Sequence, residues 1–228
     1  MLEHQPYHLV REHMRPGDII AFGGNSLFSR WTKFTTGSVV THIAVVLHTN
    51  MPDKLSGSYV NKIMEATIYN GKQGVMTNRL SERINNYNGH MWWLPLGRQA
   101  RDRFNQNHHA FFNFMHEQHG KPYDIFQLFG SAVDTFDGHP LLKSISYNEE
   151  NFSRWFCSEL VAEGLKTARV IEDVNSSEVT PIDICRFSIF QGRYVQVKGT
   201  SQPIEGFNSL SAERWGKLDF APNNLMGS

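Results

Sequence analysis

Apolar and polar positions along the chain fall into short blocks, each with its own punctuation. Ile19-Ile20-Ala21-Phe22 follows the turn chemistry of Arg15-Pro16-Gly17-Asp18 and ends at Gly23-Gly24, which predicts a short strand. The run Val39 to Leu47 is apolar on both alternating faces, the pattern of a central strand, and carries His42 near its beginning. Residues 51–61 hold Pro, Gly and Ser and read as a loop. In Ile63-Met64-Glu65-Ala66-Thr67-Ile68 the period of two puts Met64, Ala66 and Ile68 on one face and turns Glu65 to the other. Further strands are expected around Val75, after the turn Tyr69-Asn70-Gly71, at Met91 to Leu96, and at Tyr194 to Val197.

Three stretches change to helical spacing. Residues 25–36 carry Leu27, Phe28, Trp31 and Phe34 and predict a short helix. From Asp102 to His119 the positions Phe104, Phe111 and Met115 recur helically, and Gly120 with Pro122 gives a stop. Ser153 is placed as the cap of a helix running to about Ala168, with Phe156, Leu160, Val161, Gly164 and Leu165 on its packed face. Residues 130–150 read as a loop-like insertion, and from Thr200 the chain becomes a polar tail expected to be partly disordered or wrapped over the surface. Short antiparallel strands with helices segregated from them predict an α+β fold, divided into an N-terminal extension (1–14), a main domain (15–199) and a C-terminal tail (200–228).

Composition narrows the function classes. A chain of 228 residues suits one domain with its own core. Its 22 Lys and Arg balance 22 Asp and Glu and form no basic run, which argues against a general nucleic-acid binder. The two cysteines, Cys157 and Cys185, are too few for a disulfide scaffold or a four-thiolate zinc site. Met1 to His8 lacks a basic segment followed by an apolar one, and the apolar run Val39 to Leu47, broken by Thr41 and His42, falls short of the ~20 residues of a membrane span. A protein that is cytoplasmic, or released without a signal peptide, and has no integral membrane segment is expected.

Candidate chemistry centres on Cys157. The expected helix start at Ser153 puts it in the first turn, where unpaired N–H groups and the helix dipole favour a thiolate and can also hold an oxyanion. The alternative is a buried inert thiol. A thiol nucleophile needs a base, and the base needs a third group to orient it. His42 and Glu65, on successive strands, suit those two roles, although a strand histidine also serves as a satisfied core residue and a strand acid also faces water. Cys185 has neither a helix start nor a base beside it and is expected to be buried. His108, His109, His116 and His119 crowd one helix, but His116-Glu117-Gln118-His119 is one residue short of the i,i+4 zinc pattern. A solvated face is the expectation there, with no metal and no cofactor.

Four stretches then act together: Arg15-Pro16-Gly17-Asp18-Ile19-Ile20-Ala21-Phe22, Thr41-His42-Ile43-Ala44-Val45-Val46, Met64-Glu65-Ala66-Thr67, and Phe156-Cys157-Ser158-Glu159-Leu160-Val161. Gly120-Lys121-Pro122-Tyr123-Asp124 and Thr180-Pro181-Ile182-Asp183 support them. In this order the set resembles the circularly permuted, papain-fold cysteine hydrolases of the NlpC-type superfamily, and within them the YiiX-like group. Ala44 departs from the glycine many relatives have. The resemblance implies a permuted papain-like fold, an antiparallel sheet or barrel packed against helices with the nucleophile at a helix N-terminus. It implies Cys157 as nucleophile, His42 as base and Glu65 as orienting residue, and it offers Tyr123 as a substrate-lining residue, with a packed aromatic as its alternative.

The activity implied is that of a cysteine peptidase or amidase acting on small peptide-like or acyl substrates, cell-wall peptides foremost, through an acyl-enzyme. Lecithin:retinol acyltransferase-like proteins share the permuted arrangement and raise lipid acyl hydrolysis or transfer as an alternative. Their Asn-Cys-Glu-His motif differs from Phe-Cys-Ser-Glu here. A non-catalytic binding or structural protein that keeps the fold is the third reading.

Overall fold

The apolar blocks become strands of one sheet: β1 (Leu2–His4), β2 (Ile19–Gly24), β3 (His42–Pro52), β4 (Tyr59–Tyr69), β5 (Lys72–Arg79), β6 (Gly89–Leu94) and β7 (Tyr194–Lys198). The structure is a computed structural model that describes residues 1–24, 38–53, 57–122, 149–172, 174–212 and 215, with the backbone alone for 149–156. The sheet has the order β1-β7-β6-β2-β3-β4-β5, antiparallel throughout except for β1, which lies parallel to β7. It is therefore mixed and open, ending at β1 and β5, and not the antiparallel sheet or barrel expected. The reason lies at the N-terminus, where residues 1–14 join the fold instead of extending from it. Leu2 to His4 pairs with the last strand, and Val10 and Met14 are buried.

Both faces of the sheet are covered, which is why β2 and β3 read as continuous apolar runs. One face, with Ile19, Ala21, Ile43, Val45, Met64 and Ala66, packs against α3 (Arg98–Gln118), α4 (Glu149–Thr167) and α5 (Pro181–Arg186). The other, with Ile20, Phe22, Ala44, Val46 and Ile63, is covered by Val10 of α1 (Tyr7–Val10), Met14 and Leu80 of α2 (Leu80–Asn86). Helix α4 lies over β3 and β4. Gly164 sits where α4 meets Met115 and Phe111 of α3, and a Cβ there would collide with the Met115 side chain.

Buried Asp18 ties β2, β6 and α3 together. Its carboxylate accepts from the N–H groups of Arg15 (3.0 Å) and Leu96 (3.0 Å) and from Trp93 Nε1 (2.9 Å), and it pairs with Arg101 at 2.5 Å. This is the turn-bracing role its place before β2 suggests.

Boundaries moved where tertiary pairing extends an element. β3 runs on to Pro52 and β4 starts at Tyr59, so strands take both ends of the expected 51–61 loop, and bulges near His48 absorb the shift in register. Helices α2 and α5 were not anticipated, although α5 carries a full capping box of Thr180 and Asp183 with Pro181 in its first turn. The start of the tail wraps onto the core: Gln202 C=O accepts from Trp92 Nε1 at 2.9 Å, and Ile204 N–H donates to the Tyr194 hydroxyl at 2.8 Å. The expected helix at 25–36, all but the last two residues of the 130–150 insertion, and the end of the tail lie outside the described residues. Among the described residues no helix is long and apolar enough to cross a membrane.

Candidate active site

His42 opens β3, in register with Phe22 of β2, and the two rings lie 5.0 Å apart. Val45 pairs with Met64 across β3 and β4, so continuing that ladder sets Glu65 diagonal to His42 on the same face. Glu65 thus points away from Met64 and Ala66, as the period of two predicted. His42 Nε2 donates to Glu65 Oε2 at 2.7 Å, with the carboxylate fully buried and the histidine 8% exposed.

Glu65 is held from two further elements. Asn78 of β5 donates to Oε1 at 2.9 Å, and Arg83 of α2 places Nη2 3.0 Å from Oε2 and Nε 2.7 Å from Oε1. The Arg83 guanidinium in turn lies over the Tyr69 ring at 4.4 Å and near Phe22 at 5.3 Å. Burial would raise the Glu65 carboxyl, but the hydrogen bond from His42, the charges of Arg83 and His42 and the Asn78 amide outweigh it and hold the group down to about 2.

Cys157 lies on α4 with its side chain fully buried, close enough to His42 for its charge to favour the protonated imidazole. Because Nε2 is committed to Glu65, the ring nitrogen left for the thiol is Nδ1, which is buried and has no hydrogen-bond partner among the described residues. Burial alone would lower His42, yet Cys157 first and then Glu65 raise it to about 9. The three residues singled out in the sequence therefore meet in one buried cluster.

One expectation about Cys157 needs correction. Helix α4 begins at Glu149 and not at Ser153, which sets Cys157 about two turns inside it. Its N–H belongs to the helical ladder and is not an orphan donor, so neither the dipole nor that N–H acts on the thiol in the way expected.

Tyr123 lies outside the described residues. Cys185 is buried away from any base, and burial, then Asp183, pushes its thiol up. His116 and His119 are exposed on α3, and among the described residues no group of three or more His, Cys, Asp or Glu is placed to hold a metal. A cleft of about 330 Å³ between the start of α3 and residues 170–172 and 188–190 includes none of the clustered residues.

Phe22, Asn78 and Arg83 escaped the sequence reading. Asn78 sits on the face of β5 that the Glu65 register selects, but a register is not visible before the strands are paired. No protein-family model matches the chain, and a search of curated proteins finds no match.

Proposed function

We propose that the protein is a cysteine hydrolase of permuted papain-like fold that cleaves amide bonds in small peptide-like substrates, cell-wall peptides being the favoured class. The observation that carries this reading is the buried placement of His42 between the Cys157 thiol and the Glu65 carboxylate, with Nε2 2.7 Å from Oε2. Glu65 fixes the tautomer and leaves Nδ1 for the thiol proton. The Cys157 thiolate attacks the substrate carbonyl, His42 returns the proton to the leaving amine, and an acyl-enzyme remains. Water, deprotonated by His42, then releases the acid and restores the thiol. The oxyanion needs a donor other than the Cys157 N–H.

Replacing Cys157 by Ala should abolish both hydrolysis of peptide amides and modification by iodoacetamide, read by mass spectrometry. Modification that persisted in that variant, at Cys185 for example, would remove Cys157 from the assignment.

The full burial of Cys157 favours a second reading, a non-catalytic protein in which the cluster specifies the fold. A carbonyl reaches the sulfur only after the groups covering it move. Iodoacetamide separates the two readings: a hydrolase shows modification of Cys157 in the folded protein well below pH 8.5, the range of an ordinary thiol, whereas a structural cluster shows none between pH 5 and 9.

A further inference from the structure

Both oxygens of the Glu65 carboxylate are shared between two claimants. Oε2 receives His42 Nε2 at 2.7 Å and Arg83 Nη2 at 3.0 Å, while Oε1 receives Asn78 Nδ2 at 2.9 Å and lies 2.7 Å from Arg83 Nε. The guanidinium is 6% exposed and packed among the rings of Tyr69, Phe22 and Tyr87. A charge so buried is destabilising unless paired, and its pairing here is to the residue that orients His42.

With the thiol and imidazole as an ion pair, Cys157, His42, Glu65 and Arg83 form a buried row of alternating charge, negative to positive. Among the described residues the neighbouring elements add little to that row. Phe22 on β2 and Asn78 on β5 are uncharged, Arg79 is paired with Asp53 and Glu82, and Glu159 of α4 interacts with Glu163. Without Arg83 the Glu65 charge would act on His42 alone and the row would be one unit more negative. Every proton in the row would then be held more tightly.

We propose that Arg83 is a positioning residue that, acting through Glu65, sets the pH range in which the Cys157–His42 pair is reactive. This rests on the reading of Cys157 as the nucleophile. Arg83 Nη2 donates to Oε2, the oxygen that also takes His42 Nε2, and so helps fix the direction of the His42 bond, which lysine, a single point charge, does less well.

The test is the rate of iodoacetamide modification of Cys157 from pH 5 to 10 in the full chain, with thermal melting as a check on folding. Arg83→Gln should move the profile to higher pH by about one unit, a loss of about tenfold at pH 6 that shrinks towards pH 9. Arg83→Lys should recover most of the shift. Should Arg83→Gln fail to fold, Arg83→Met, which removes the same charge and keeps an apolar stem among the rings, should give the same upward shift. A lower melting temperature with an unmoved profile would reduce Arg83 to a packing role and overturn the proposal. An unmoved profile in a folded Arg83→Met would overturn it too. Wild-type Cys157 that stays unmodified from pH 5 to 9 would instead sink the hydrolase reading itself, whatever the Arg83 variants do.

Discussion

His42 and Glu65 shift in opposite directions: Cys157 first and then Glu65 favour the charged His42, while His42 and Arg83 favour the charged Glu65. Glu65 is held below its ordinary value of 4.5, so its contribution to stability is present above that pH and is lost as pH falls towards about 2. His42 is raised above 6.5, so its contribution is complete below that pH and is lost as pH rises through about 9. Both therefore act between about 4.5 and 6.5, and the urea midpoint should be highest there and fall on either side. Cys157 is the largest of the influences that raise His42. In Cys157→Ala the His42 imidazole should titrate at lower pH, by one unit or more on the 15N NMR signal of its ring; an unchanged titration would break the contact between the two residues. The Cys157, His42 and Glu65 cluster was legible in the sequence because a thiol, an imidazole and a carboxylate each have a chemical signature and fall in a recognisable order. Arg83 was not legible, because a lone arginine in a short helix reads as solvated until a buried carboxylate is found beside it.

Elements were readable where burial is imposed on both faces and obscure where pairing alone creates them. β2 and β3 announce themselves because helices cover one side and α1, Met14 and α2 the other. Helix α2 has only Leu80 and Arg83 as buried residues, too little for an apolar period. The start of α4 was misplaced because Ser153 is a good local cap, and local capping chemistry does not say whether the helix has already begun. The Asp18 brace belongs to this scale, since one carboxylate serves the turn before β2, the end of β6 and the first turns of α3. Asp18→Asn leaves Arg101 without its counter-charge and turns an amide donor towards groups that donate. The loss expected is about 3–5 kcal/mol in urea unfolding, the range for breaking one partner of a buried pair. A loss below about 1 kcal/mol would place Asp18 among ordinary surface turn residues.

The whole molecule is joined at one end by its first and last strands. β1 lies parallel to β7, Tyr194 N–H donates to Met1 C=O at 3.0 Å, and Gln5 N–H donates to Gln196 C=O at 3.1 Å. No sequence pattern announces Leu2 to His4 as a strand, because three residues show no alternation and the strand exists only through a partner far along the chain. The His42 and Glu65 cluster lies towards the other edge of the sheet, with β6 and β2 between β7 and β3. Stability and site chemistry are therefore separable. Deleting Met1 to Gln5 removes several backbone hydrogen bonds, each with a net worth of about 0.5–1.5 kcal/mol, so stability should fall by roughly 2–4 kcal/mol. It also bares the β7 edge, and the shortened chain should self-associate more readily in sedimentation. The pH profile of Cys157 modification should stay where it is in the folded fraction, since neither His42 nor Glu65 touches the deleted residues. A shift of that profile would mean that the strand order transmits strain from one edge of the sheet to the other, and that the site depends on the whole sheet and not on β2 to β5 with α2 and α4.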